Sequence, residues 1–267
     1  MKLSLCGWSL NRLFRREASP LTLLDFPALA RDEFAITALE LNNIYFESTE
    51  PAYVDRLRAA IDAVGAIALN IAVDEPGDLS SDDEAARLAT VDRYARWLPV
   101  ARTLGCGVIR ANSGGRDARD RERAIANCTD SFRRLCEIGH AHGVALMIEN
   151  HWGISSDPEV MVRVVNDVCD THGADAMHTL VDWGNWPDDV DRYAAIERTM
   201  PLAIAVHAKV NDIDAELNHP RFDHARCLSI ARDAGYDGYL GIEYEGVDDP
   251  VQGVRRGATL LRRLLAD

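Results

Sequence analysis

The chain has 267 residues, 47% of them apolar and 27% charged, with Lys+Arg at 29 against Asp+Glu at 43 and a formal charge of −14. A chain of this size buries about 70–75% of its unfolded surface and needs no disulfide staples or structural zinc, and its acidity argues against nucleic-acid or anionic-membrane partners. Six single cysteines without a CxxC pair suit a reducing cytosol, no apolar run reaches the roughly 18–20 residues of a membrane span, and MKLSLCGWSLNRLFRRE lacks a signal-peptide cleavage site, so a cytoplasmic protein is expected. Along the chain, short apolar runs alternate with amphipathic stretches. The predicted strands are Lys2–Cys6, Ile36–Leu41, Ala66–Ile71, Gly107–Ala111, Val144–Ile148, Met177–Val181, Ala203–Val206 and Tyr239–Ile242. Between and after them, helical patterns run over Leu21–Arg31, Pro51–Val64, Asp82–Leu104, Arg121–His142, Asp157–Thr171, Asp188–Met200, Phe222–Ala234 and Pro250–Leu265.

Local signals fix several boundaries. Ser81 with Glu84 has capping-box spacing, and Asp157 precedes Pro158 at a first helical position. Gly65, Gly105, Gly143, Gly173 and Gly235 stand as helix stops just before strands. No linker divides the chain, so residues 1–267 read as one α/β domain, a single (β/α)8 TIM barrel. An open doubly wound sheet usually carries a glycine-rich turn after its first strand, where this chain has CGWSLN. In a barrel the active groups sit at the C-terminal strand ends.

Those ends are polar. The first strand runs into Trp8, the second gives Glu40 with Asn42 and Asn43, the third Asn70 and Asp74, and the fourth Arg110 and Asn112. The fifth gives Glu149, Asn150 and His151, the sixth Asp182 with Asn185 beyond, the seventh His207 and Lys209, the eighth Glu243 and Glu245. Four consecutive strands therefore end in Glu, Asp, His and Glu. Three converging carboxylates would repel one another and hold protons unless a divalent cation neutralised them. One imidazole with three carboxylates suits Mn2+, Mg2+ or Co2+ better than a thiolate-type zinc site. Taken singly, each could instead be a helix cap or a rim salt bridge; the shared register of all four favours the ion.

At these residues the chain resembles the xylose-isomerase-like barrel superfamily of sugar isomerases and epimerases. The resemblance spans all eight units and is most specific at Glu149 in LMIEN, Asp182 in TLVDWGN, His207 in AVHAK and Glu243 in GYDGYLGIEYEG, with intervals of 33, 25 and 36 residues close to those of the ketose 3-epimerase branch. It implies that Glu149, Asp182, His207 and Glu243 hold one divalent metal, often manganese, and that Glu149 and Glu243 also flank a carbohydrate substrate as acid and base. The implied reaction is proton transfer next to a metal-bound carbonyl through an enediolate, giving epimerisation or aldose–ketose isomerisation. Two substrate-gripping positions of that branch differ: Asn185 stands for a histidine and Ile213 for an arginine. His151 and Lys209, each two residues beyond a presumed ligand, would face the same side if strand geometry persists. They also fit β-elimination from a keto sugar, which keeps a lyase, a dehydratase or a keto-glycoside-cleaving enzyme, as the alternative.

Trp8, Glu40, Asn70, Arg110, Asn112, Asn185 and Trp183 are the expected substrate contacts. Trp8, Trp152, Trp183 and Trp186 follow strands, where aromatic rings stack on sugars or merely cover loops. Ser113-Gly114-Gly115 could cradle a phosphate but reads more simply as a turn. Metal-dependent nucleases of the superfamily need a histidine where Asn185 stands, and a non-catalytic sugar-binding barrel remains the contrast class. Barrels of this kind are often homo-oligomers; no stretch reads as an interface.

Overall fold

The computed structural model describes residues 1–74, 76–214 and 216–266. Eight strands form where the apolar runs predict them: β1 (Lys2–Cys6), β2 (Ala38–Asn42), β3 (Ile67–Ala72), β4 (Val108–Ala111), β5 (Ala145–Glu149), β6 (Met177–Asp182), β7 (Ala203–Lys209) and β8 (Tyr239–Glu243). They pair in parallel in chain order, and β8 closes on β1. The helices are α1 (Asn11–Phe14), α2 (Phe26–Phe34), α3 (Pro51–Ala63), α4 (Glu84–Ala95), α5 (Trp97–Leu104), α6 (Arg121–His142), α7 (Pro158–His172), α8 (Arg192–Thr199), α9 (His224–Asp233) and α10 (Pro250–Ala266). No described helix is long and apolar enough to cross a membrane.

Two expectations change. The pattern over 82–104 splits into α4 and α5 because Pro99 lacks an N–H and its ring crowds the carbonyl of Ala95, four residues back. The cap of α4 is Asp83, which accepts from the Ala86 N–H at 3.1 Å; Ser81 instead accepts from the Asp83 N–H. Asp157 caps α7 as expected, accepting from Glu159 and Val160. The five predicted stop glycines all adopt positive φ, 65 to 97°, a region open to glycine at little cost.

Strand alternation builds the site. Val108, Met147 and Leu180 form a small buried cluster of their own with Ala145 and Ala205, apart from the main core that packs the strands against the helices. Two residues further along the same strands, on the same face, stand Arg110, Glu149 and Asp182, and His207 stands two residues beyond Ala205. The lower interior is therefore apolar and the upper interior polar. Irregularities at Leu39/Glu40 and Thr179/Leu180 adjust the register so that Glu40 lies beside Asn70 and Asp182 beside His207; bulges commonly re-aim side chains in this way.

Candidate metal centre and active site

Strands β5, β6 and β8 end in Glu149, Asp182 and Glu243 and β7 carries His207 two residues before its end, which brings the four into one buried cluster. One donor atom from each lies within 4.8 Å of all the others. His207 Nδ1 is 3.5 Å from Glu149 Oε1, 3.5 Å from Glu243 Oε2 and 3.8 Å from Asp182 Oδ2. The α8-side loop divides the work of Asp182. Its Oδ1 accepts from the backbone N–H groups of Gly184 (2.6 Å) and Asn185 (2.9 Å), while Oδ2 faces inward without a hydrogen bond. His207 is divided likewise: Nε2 lies 3.1 Å from Glu40 Oε2, and Nδ1 is buried with no hydrogen-bond partner. Glu40 is held ionised, its burial outweighed by His207, Ser4 and Asn70, so Nε2 must donate to it. Nδ1 faces three carboxylates; burial opposes a charge on the ring, but Cys6, Glu243 and Glu40 hold the imidazole well above its usual value, so a divalent cation bound there would displace the Nδ1 proton. That orphaned pair of atoms, with a hard and mostly anionic donor set, fits one divalent cation, and the cluster can hold one.

The electrostatics fit the same conclusion. Burial, then Glu243 and Glu149, push Asp182 up to about 8 despite Lys209. Burial also opposes ionisation of Glu149, but Arg110, His207 and His151 together outweigh it and bring that carboxyl down to about 2. Glu243 is held well below its usual range because Lys209 and His207 overcome its burial. The Lys209 ammonium lies 3.2 Å from Asp182 Oδ2 and 2.8 Å from Glu245 Oε2, and it bonds Glu243. Protein cations thus satisfy two of the three carboxylates and leave Asp182 favouring its proton, a deficit that a divalent ion corrects.

The other expected site residues divide. Arg110 is buried between Asp74 (2.8 Å) and Glu149 (3.0 Å), and Asn185 Nδ2 donates to Glu149 Oε1 at 3.3 Å. Asn112 Oδ1 meets His151 Nδ1 at 3.3 Å. Lys209 keeps strand geometry and shares the His207 face, but β5 ends at Glu149, so His151 sits in a bend and is exposed at the rim. Trp8 is half-buried at the mouth, donating from Nε1 to Glu245 Oε1 at 2.7 Å and stacking on Tyr45. Glu40 and Asn70 are buried and bonded to each other, and Glu40 turns to His207 rather than to the mouth. Trp183 departs from the expectation of a substrate contact. It is fully buried in the core, edge-on to His224, because Asp182 takes the inward position and its neighbour must point outward. Trp186 is buried too. Ser113-Gly114-Gly115 is an irregular loop whose Gly115 N–H already donates to Asp78 at 3.0 Å.

Asp74, Glu245 and Ser4 were not among the expected site residues. Asp74 and Glu245 stand at strand ends and carried a signal; Ser4, inside an apolar run, carried none. An alcove of about 140 Å³ lined by Asn185, Lys209, Asn211, His219, Arg221 and Glu245 opens beside the cluster. A larger groove, about 700 Å³, lies at the other end of the barrel near Val144 and Ala176, away from the four donors.

The family model described as xylose isomerase-like TIM barrel matches residues 32–264. A C-glycoside deglycosidase alpha subunit from Arthrobacter globiformis is 34% identical over 98 residues, 34% of this chain and 25% of that protein. A 3'-dehydrocarminate deglycosidase alpha subunit from a Microbacterium species is 28% identical over 152 residues, 52% of this chain and 39% of that protein. The chain thus matches about a quarter and about two-fifths of these relatives' lengths. Among solved structures, an L-ribulose 3-epimerase superposes with a TM-score of 0.81 at 17% identity, covering 100% of this chain and 95% of that one, a likeness of fold.

Proposed function

Because the chain belongs to the xylose isomerase-like TIM barrel family, we propose that it is a divalent-metal-dependent enzyme that moves a proton next to the carbonyl of a keto sugar. The observation that carries this is the convergence of Glu149, Asp182, His207 and Glu243 within 4.8 Å. These four would hold the ion, with Mn2+ best suited and Mg2+ or Co2+ as alternatives. When bound, the ion supplies Lewis-acid polarisation of a neighbouring carbonyl. Glu149, kept ionised by Arg110, and Glu243, paired with Lys209, take and return the proton. Lys209 donates to the oxygen on which negative charge grows. Arg110, Asn112, Asn185 and Trp8 line the approach and orient the sugar, and residues 1–267 act as one barrel domain.

Two fates of the carbanion are open to this site. Elimination of a group β to the carbonyl, with His151 at the rim as the acid, is supported by the two deglycosidase relatives. It is also supported by Ile213, which is buried and apolar where the ketose 3-epimerase branch has a sugar-gripping arginine. Proton return, giving epimerisation or isomerisation, is supported by the two glutamates on strands three positions apart around the barrel. We take elimination from a keto-glycoside as the leading reading. The relatives' names as alpha subunits lead us to propose assembly with further chains as well, for which light scattering is the check. The deciding experiment incubates Mn2+-loaded protein with free ketoses and with 3-keto glycosides in deuterated water. Release of the aglycone supports elimination; deuterium uptake without loss supports epimerisation or isomerisation; neither, with tight sugar binding, overturns the enzyme reading.

A further inference from the structure

Beneath the four donors lies a second polar layer. Glu40 accepts from Ser4 Oγ–H at 2.7 Å through Oε1, and from Asn70 Nδ2–H at 2.9 Å and His207 Nε2–H at 3.1 Å through Oε2. Strand register makes this layer: Glu40 pairs with Cys6 on one side and with Asn70 on the other, and His207 pairs with Gly241. A Cβ on Gly241 would stand 2.3 Å from Glu40 Oε1 and 3.0 Å from His207 Cδ2. The glycine in the middle of β8, otherwise a weak strand residue, is thus the gap through which the carboxylate reaches the imidazole. Five strands therefore spend inward positions on holding one carboxylate against one ring nitrogen.

We propose that Glu40 is a positioning residue for the metal centre: held by Ser4 and Asn70 in the space left at Gly241, it fixes the ring orientation and tautomer of His207 so that Nδ1 faces the ion. This rests on the reading that Glu149, Asp182, His207 and Glu243 bind a metal. A carboxylate on the far nitrogen of a ligating histidine raises the basicity of the near one, and losing such a partner costs roughly 10–100-fold in metal affinity. Cys6 lies close enough to Glu40 and His207 to form a second donor group, but Glu40 already accepts three hydrogen bonds there.

Metal-free wild type, Glu40→Gln and Asn70→Ala are titrated with Mn2+, counting free ion by electron paramagnetic resonance, and their unfolding midpoints are recorded without metal. One ion per chain is expected in wild type, with binding weakened roughly 10–100-fold in Glu40→Gln and less in Asn70→Ala, where the carboxylate keeps two partners. In wild type loaded with diamagnetic Mg2+, a long-range 1H–15N spectrum should show His207 protonated at Nε2 alone; a proton on Nδ1 with Nε2 bare would overturn the positioning role. If wild type takes up no Mn2+, the metal-centre reading fails. If wild type binds and both variants bind as tightly, only the role of Glu40 fails, whatever happens to the unfolding midpoints. Two ions per chain in wild type, one of them lost in Glu40→Gln, would make Cys6, Glu40 and His207 a second site and overturn the positioning role. Should Glu40→Gln fail to fold, Asn70→Ala carries the same test alone.

Discussion

Lys209 takes an ammonium into a place that three carboxylates share. Removing one member of a buried ion pair usually costs about 3–5 kcal/mol, because the partner is left charged and unpaired. Lys209→Met should therefore lower the unfolding midpoint of metal-free protein, and saturating Mn2+ should restore much of the loss; equal losses with and without Mn2+ would separate Lys209 from the carboxylates' charge balance. Glu149→Gln and Glu243→Gln should each slow solvent-deuterium exchange into a keto sugar by about 10²–10⁴-fold, measured at saturating metal so that weaker ion binding is not mistaken for lost proton transfer. His224 gives a pH effect away from the cluster. Its Nε2–H donates to the Lys209 carbonyl, its Nδ1 has no partner, and burial followed by His219 brings its pKa down to about 4. The unfolded imidazole, near 6.5, takes up a proton first as pH falls. The stabilisation is thus complete above about pH 6.5, declines between 6.5 and 4, and is worth at most about 3 kcal/mol. His224→Gln should flatten urea-unfolding free energies across that window.

At the scale of elements, the loop after β6 presses Gly184 against the Lys209 stem, where a Cβ would come within 2.5 Å of Lys209 Cβ. Gly184→Ala should displace Lys209, costing about 1–3 kcal/mol by overpacking and lowering kcat more than it raises KM; thermal unfolding and steady-state rates on the same preparation separate the two effects. The strands were legible because a buried parallel strand is a short apolar run, and the run stops where the inward residue becomes polar. For the same reason the predicted strands β5, β6 and β8 end one residue short: Glu149, Asp182 and Glu243 belong to the ladder but read as loop. Lys209 could be placed from its spacing to His207 because β7 continues that far. His151 has the same spacing to Glu149 and a different fate, because β5 stops and the backbone bends, and nothing local in ENHWG announces the bend. Trp183 shows a further blind spot, since an aromatic after a strand end has no sign of facing mouth or core until the inward partner is known. Pro99 was a local breaker inside a long periodic pattern, outweighed there by the apolar spacing on either side.

The whole molecule poses a last question, because a chain of net charge −14 attracts cations everywhere. Surface binding is diffuse, weak and screened over about 8 Å at physiological ionic strength, whereas a buried site is screened far less. A single site occupied at about 100 times its Kd stabilises the fold by about 2.7 kcal/mol, which for a chain of this length raises the unfolding midpoint by about 5–10 °C. Mn2+ should therefore produce a saturating shift of that size, reversed by a chelator and little changed by 150 mM NaCl. Asp182→Asn should abolish it while altering the total charge by only one unit. The same substitution replaces a carboxyl that burial and its neighbours push up to about 8 by a neutral group, so metal-free Asp182→Asn should be no less stable than wild type at neutral pH. Stability kept without metal, together with a thermal shift lost with it, is the signature of a carboxylate held for an ion rather than for the fold. A shift that survives Asp182→Asn and vanishes in salt would assign the effect to the acidic surface.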